Sequence, residues 1–166
     1  MVPETMRAAI RTGLLGYTLT FTDRHPSPPS PEPGQVLLEV RSAAINPVDY
    51  KLPRAAFGAV YGLDVSGVVR SVGDVDGDGD GEGDVAAPFQ VGDEVFGRSS
   101  SGSLADFSIA SASELTAKPG GLSHDEAAAL PVAYLTGLEA LRDAGRVREG
   151  SAVLIVGASG GCGLAG

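Results

Sequence analysis

The residues with the clearest chemical potential stand last in the sequence. Ala152–Val156 is an unbroken apolar run of strand length, and it leads directly into Gly157-Ala158-Ser159-Gly160-Gly161-Cys162-Gly163. A strand, a glycine turn and a helix onset in that order suit a dinucleotide pyrophosphate. The missing side chains at Gly160 and Gly161 let the backbone approach phosphate oxygens, and the first N–H groups of the helix point at the anion. Gly163 is expected to let that helix pack against the strand. Ala158 occupies the place of the first glycine in the strict GxGxxG pattern, so the turn alone reads equally as an ordinary strand-to-helix connection. Ala158, Ser159, Gly160, Gly161, Cys162 and Gly163 are the candidate cofactor-binding residues.

Other residue types that can do chemistry are less well placed. Cys162 is the only cysteine, which excludes an internal disulfide and any zinc site built from several thiolates of this chain. It sits at a helix start, where a thiol pKa can fall, and is read as packing. His25 lies in a Pro-rich turn and His124 in the first turn of a helix, neither with metal partners at ligand spacing. The tract Asp76–Asp84 matches an EF-hand loop at Asp78, Asp80 and Gly81, but its twelfth position is Ala87 where a bidentate Glu is required. A flexible acidic loop over 74–84 is the better reading. Asp64, after a glycine at a strand start, is expected to be structural, and Asp49 is equally ambiguous.

Short elements must position these groups. Met6–Thr12 and Tyr17–Thr22 read as a hairpin, and the Pro-rich stretch from His25 to Gly34 as irregular chain. Gln35–Ile45 alternates, with Val36, Leu38 and Val40 on one face and Gln35, Glu39 and Arg41 on the other, as a half-buried strand requires. Pro47 allows only a turn or a first helical turn, so Asn46–Leu52 is expected as a short helix or loop. Leu63–Val72, Val91–Phe96 and Leu104–Ile109 continue the strand habit, which points to a β-barrel or sandwich. Ser123 and Glu126 have capping-box spacing, predicting a helix start. Pro131 can open a second helix, with Leu135, Leu138 and Leu141 forming one apolar stripe before Gly145. Two regions are expected: a β-barrel over 1–122, and linking helices with the start of an α/β domain over 123–166.

Composition narrows the class of protein. Of 166 residues 43% are hydrophobic and 20% charged, and no apolar run approaches the roughly 20 residues that cross a bilayer. The start MVPETMRAAIRTG lacks the features of a signal or transit peptide, so a cytoplasmic location is expected. A net charge of −9 disfavours nucleic acid and anionic membrane as partners. Six of the acids lie in residues 74–84, leaving 15 acids against 12 bases elsewhere, so the body of the domain is nearly neutral.

The succession AAINPVDYK, YGLDVSGVVRSVG, FQVGDEVFG, GSLADFSIASASELTAKP, DEAAALPVAYLTGLEAL and the glycine turn resembles the zinc-independent quinone oxidoreductase branch of the medium-chain dehydrogenase/reductases. The resemblance runs from about Met6 to Gly166, the acidic tract excepted. It implies a GroES-like β-barrel catalytic domain followed by a Rossmann domain, here its first strand and glycine loop, with an active site between them. Zinc-dependent members carry a metal-binding Cys about where Asn46 stands and a His-Glu pair where this chain has Leu63-Asp64. Their catalytic zinc ligand set is therefore missing, and no metal is expected.

The resemblance also implies the chemistry. Without zinc, hydrogen-bond donors must stabilise charge developing on the substrate oxygen while NADH or NADPH, the latter favoured by the resemblance, supplies hydride. It places Asn46 and Lys51, with Tyr50 adjacent, at the nicotinamide end of the site as catalytic candidates. It places the hydroxyl of Thr136 against the nicotinamide or its ribose, where the alternative is a bond back to a helix carbonyl. The implied substrates are quinones or the C=C bonds of conjugated enones and enals, and a homodimer is compatible with the full-length enzyme. A trans-enoyl reductase domain of a larger synthase and a non-catalytic fragment are the alternatives.

Overall fold

The computed structural model describes residues 2–13, 18–51, 58–73 and 88–165. The acidic tract 74–84, Leu52 and most of the expected Gly-Leu-Leu-Gly turn lie outside the described residues.

The expected first hairpin forms. β1 (Thr5–Thr12) pairs antiparallel with β2 (Thr18–Pro26), with Ile10 opposite Thr20. β2 runs beyond Thr22 and into the Pro-rich stretch that was expected to be irregular. Pro26 is its last residue, at a strand end where a missing N–H does least harm.

The alternating segment becomes β3 (Gln35–Ala44), followed by α1 (Pro47–Lys51), β4 (Asp64–Val72), β5 (Glu94–Arg98), β6 (Phe107–Ser111) and β7 (Leu115–Ala117). The five strands from β3 to β7 form one antiparallel sheet in the order β6-β3-β4-β5-β7. The hairpin closes onto it through bridges from Ala8 to Ala105 and from Ile10 to Val60, giving the mainly β GroES-like architecture. Val36, Leu38, Val65, Val69, Val95 and Ala110 are fully buried between the strands. Each large side chain among them contributes about 1.5–3 kcal/mol. On the outer face of β3, Glu39 pairs with Arg41 and Arg70 in water, where such contacts stabilise little.

The capping box is present. Ser123 Oγ accepts from the Glu126 N–H at 3.2 Å, and Glu126 Oε2 accepts from the Ser123 N–H at 2.8 Å, opening α2 (His124–Ala128). Its Ala127 and Ala128 are fully buried. α3 (Pro131–Glu139) starts with Pro at its first position and runs into a wider turn over Ala140–Ala144.

Two expectations fail here. Leu135 and Leu138 do not form a buried stripe: they are about half exposed, and α3 instead buries Pro131, Ala133 and Gly137. The short α4 (Gly161–Ala165) lies against the buried small residues of α3. A Cβ at Gly161 would stand 3.5 Å from Ala133 Cβ, and one at Gly137 would stand 3.4 Å from Ala165 Cβ. Ala152–Val156 is not a strand, and Leu154 and Val156 are 88% and 89% exposed. A parallel strand exists only by pairing with neighbours, and no described residue pairs with this run. Among the described residues no helix is long and apolar enough to cross a membrane.

Candidate active site

Asn46, Pro47, Val48 and Asp49 form the start of α1. Pro47 has no N–H to leave unsatisfied, and Asp49 Oδ2 reaches back to accept from the Asn46 N–H at 2.7 Å. Asparagine is a good helix cap through its side-chain oxygen, but Asn46 does not use it so. Its Nδ2 instead donates to Asp64 Oδ2 at 2.9 Å. Asp64 is fully buried at the head of β4, and its Oδ1 accepts from the Val132 N–H at 3.0 Å. Leu130 offers no side-chain cap to α3, so a carboxylate from a distant strand takes that position, where the helix dipole favours negative charge.

Burial raises the Asp64 pKa from 3.8 to about 6. The Asn46 and Val132 donors and the charge of Arg98 oppose the rise, while the charge of Asp49 adds to it. Burial raises the Asp49 pKa as well, against the Asn46 N–H, the charge of Arg11 and the Leu63 backbone. Both carboxylates hold chain segments together, as expected of Asp64.

Arg11 anchors α1 from below. It is 2% exposed; Nη2 donates to the Asp49 carbonyl and Nη1 to the Val60 carbonyl, each at 2.7 Å. Its guanidinium lies 4.0 Å from the centre of the Tyr61 ring. One buried cation therefore ties α1 to the 58–62 segment. The sequence reading missed it, because a charge in an alternating strand ordinarily faces water. Parity gave no signal, since Thr5 and Arg7, at the same alternation as Ala9 and Arg11, are exposed, and the register shifts between Met6 and Ala8.

His124 also has a structural post. Its Nδ1 lies 2.8 Å from Ser66 Oγ and its Nε2 3.5 Å from Glu94 Oε1, pinning α2 to β4 and β5. Glu94 also pairs with Lys118 at 3.1 Å, which holds its pKa below the ordinary range.

The glycine turn is exposed from Gly157 to Cys162. Gly157 has φ +78°, and the turn closes through Gly160 N–H to Gly157 O at 3.0 Å and Leu164 N–H to Gly160 O at 2.9 Å. A Cβ at Gly163 would collide with the Gly157 carbonyl oxygen and lie 2.7 Å from Ala158 Cα. Gly163 is thus required by closure of the turn itself, and not by packing of a helix on a strand. Exposed backbone without side chains at Gly160 and Gly161 fits the close approach of a pyrophosphate. Ala158, Ser159 and Cys162 lie in the same exposed turn.

The structure joins some of the candidates and leaves others apart. Asn46 connects through Asp64 to Val132, and Thr136 follows Val132 by one turn of α3. Ala133 lies beside the glycine turn, where a Cβ added at Gly161 would stand 3.5 Å from Ala133 Cβ. The Thr136 hydroxyl is exposed and makes no bond back to a helix carbonyl. Tyr50 is 57% exposed, and Lys51 is exposed at the end of α1 with no hydrogen-bond or ion-pair partner among the described residues.

Comparison with known proteins agrees with the mainly β, GroES-like fold. Residues 32–140 match the alcohol dehydrogenase GroES-like domain. The quinone oxidoreductase of Mus musculus is 35% identical over 144 residues, covering 82% of this chain and 40% of the relative. The 2-methylene-furan-3-one reductase of Solanum lycopersicum is 34% identical, covering 98% of this chain and 43% of the relative. A mycobacterial protein whose structure was solved in complex with NADPH superposes with a TM-score of 0.79 at 26% identity, covering 96% of this chain and 48% of that one. The chain thus spans less than half the length of these relatives. With its GroES-like barrel, the chain belongs to the quinone oxidoreductase branch of the medium-chain dehydrogenase/reductase superfamily.

Proposed function

We propose that this chain forms the barrel and first cofactor loop of an NAD(P)H-dependent, zinc-free reductase of quinones or of the C=C bonds of conjugated enones and enals. The supporting observation is the connected path from Asn46 through Asp64 to α3, and from α3 to the glycine turn. That path brings a polar residue of the barrel and a phosphate-sized backbone turn to the first turn of one short helix. Relatives named quinone oxidoreductase and furanone reductase support the substrate class, and the NADPH complex of a structural neighbour supports the cofactor.

When bound, the reduced nicotinamide supplies the hydride. The turn Ala158–Gly163 holds the pyrophosphate through its backbone, and the Thr136 hydroxyl orients the nicotinamide end from the face of α3. Lys51 and Tyr50, exposed at the end of α1, donate hydrogen bonds to the substrate oxygen as it gains charge, and so lower the barrier. Where other members place metal ligands, Asn46 and Asp64 bond to each other and to α3, which supports a reading without zinc at these two positions.

The test is NAD(P)H-dependent turnover of a small quinone and of an enone by a full-length reductase containing this chain. Reduction of at least one is expected, with cofactor affinity lost in Gly160→Val. A Cβ there meets only the Gly157 oxygen, at 3.4 Å, so the fold should tolerate it while phosphate approach is blocked. Unchanged cofactor affinity in Gly160→Val would contradict the reading.

A further inference from the structure

The last turn of α1 lacks one of the hydrogen bonds a helix would give it. The Asp49 carbonyl would accept from the N–H four residues on, and that residue is Pro53, which has none. The donor comes instead from β1, where Arg11 Nη2 reaches the Asp49 carbonyl at 2.7 Å from 38 positions earlier in the chain. A cation there also suits the partial negative charge on the last carbonyls of a helix.

A helix of five residues has too few backbone bonds to fix its own place. Whatever holds the Asp49 carbonyl therefore decides where the next two residues, Tyr50 and Lys51, stand. Arg11 is itself fixed from two other directions: Nη1 donates to the Val60 carbonyl at 2.7 Å, and the guanidinium lies 4.0 Å from the centre of the Tyr61 ring. A cation this deeply buried is costly to place, and this one faces the carbonyl that leads directly into Tyr50.

We infer that Arg11 is a positioning residue for the reduction, setting Lys51 and Tyr50 in place for the substrate oxygen by holding the Asp49 carbonyl. This rests on the reading of Lys51 and Tyr50 as the donors to that oxygen. Arg11 is buried beneath α1 and acts through the peptide unit that joins Asp49 to Tyr50. A donor displaced by about 1 Å loses much of its hold on charge in the transition state, while binding of substrate and cofactor changes little. A role in folding alone would lower activity equally whether or not the two donors are present.

The test is a double-mutant cycle on kcat in a full-length reductase containing this chain, with a small quinone and an enone as substrates and active enzyme counted by NAD(P)H titration. Arg11→Lys should lower kcat about tenfold or more, with KM and cofactor affinity within about threefold of the parent. Added to the pair Lys51→Ala with Tyr50→Phe, it should lower kcat by less than about twofold further, because the groups it positions are gone. Tyr61→Leu keeps the cation and removes its stacking face, and it serves as the milder variant if Arg11→Lys does not fold. It should lower kcat about threefold or more in the parent and less than about twofold in that pair. An equal loss in both backgrounds would overturn the positioning role and leave the reductase reading intact, as would an unchanged kcat in Arg11→Lys while the pair loses turnover. A pair that keeps the parent's kcat would overturn the reading of Lys51 and Tyr50 as donors, and the positioning role with it.

Discussion

Asp64 Oδ1 accepts from the Val132 N–H across 3.0 Å, joining the first residue of β4 to the first turn of α3 although 68 residues separate them. One buried carboxylate thus ties α3 to the barrel, as His124 ties α2. The same burial makes that carboxylate a proton-sensitive part of the fold.

Because the Asp64 pKa is raised from 3.8 to about 6, the folded state holds this proton more tightly than the unfolded chain does. Its contribution to stability is complete below the unfolded value and is lost as pH rises through about 6. Asp49, also raised, acts in the same direction. Glu94, Asp106, Glu126 and Asp143 are lowered, so their opposite effect falls at more acidic pH, below their ordinary values. The stability difference between the parent and Asp64→Asn, from denaturant titrations at pH 5 and pH 7, should therefore shift in favour of the parent at pH 5. A difference independent of pH, or one shifting the other way, would contradict the assignment.

Arg11 holds two backbone carbonyls and a ring face at once, which lysine cannot reproduce with a single ammonium. Arg11→Lys should cost about 2–4 kcal/mol in chemical denaturation, comparable to breaking other buried charged networks. A loss under about 1 kcal/mol would mean that α1 is held by other contacts.

Gly102 has φ +97°, and a Cβ there would lie 2.6 Å from Val60 Cβ and 2.7 Å from the Val60 carbonyl oxygen. Gly102→Ala should destabilise by more than about 2 kcal/mol, combining backbone strain with a clash at the β1 crossing. Gly121, with open space around its Cβ position and no left-handed φ, serves as control and should accept Ala within about 1 kcal/mol. Equal melting temperatures for the two variants would contradict the packing at Val60.

The legible parts of the fold were those whose signal is local. The alternation of Gln35–Ile45 marks Val36 and Leu38 as buried, though Leu37 on the other face is buried too, and Ser123 with Glu126 marks a helix start through bonds between residues three apart. Ala152–Val156 misled because an apolar run specifies burial, while a strand also needs a partner. Leu135 and Leu138 misled because α3 is packed by approach of its small residues, a contact that larger side chains outweigh in any periodicity count. In the site, the motif around Asn46 and the glycine turn stood out by residue type. The Asp64 bridge could not be read, since the Val132 N–H belongs to no side chain and lies far along the chain.

The central claim is that donors at the end of α1 act on charge that develops during reduction, while the glycine turn binds cofactor. The most direct measurement is steady-state kinetics of Lys51→Ala on a small quinone and an enone, in a full-length reductase containing this chain, paired with cofactor titration by fluorescence. A cation acting mainly in the transition state predicts kcat lowered about tenfold or more, with NAD(P)H affinity changed by less than about threefold. Undiminished turnover of both substrates by Lys51→Ala would show that Lys51 is a surface residue and contradict the account.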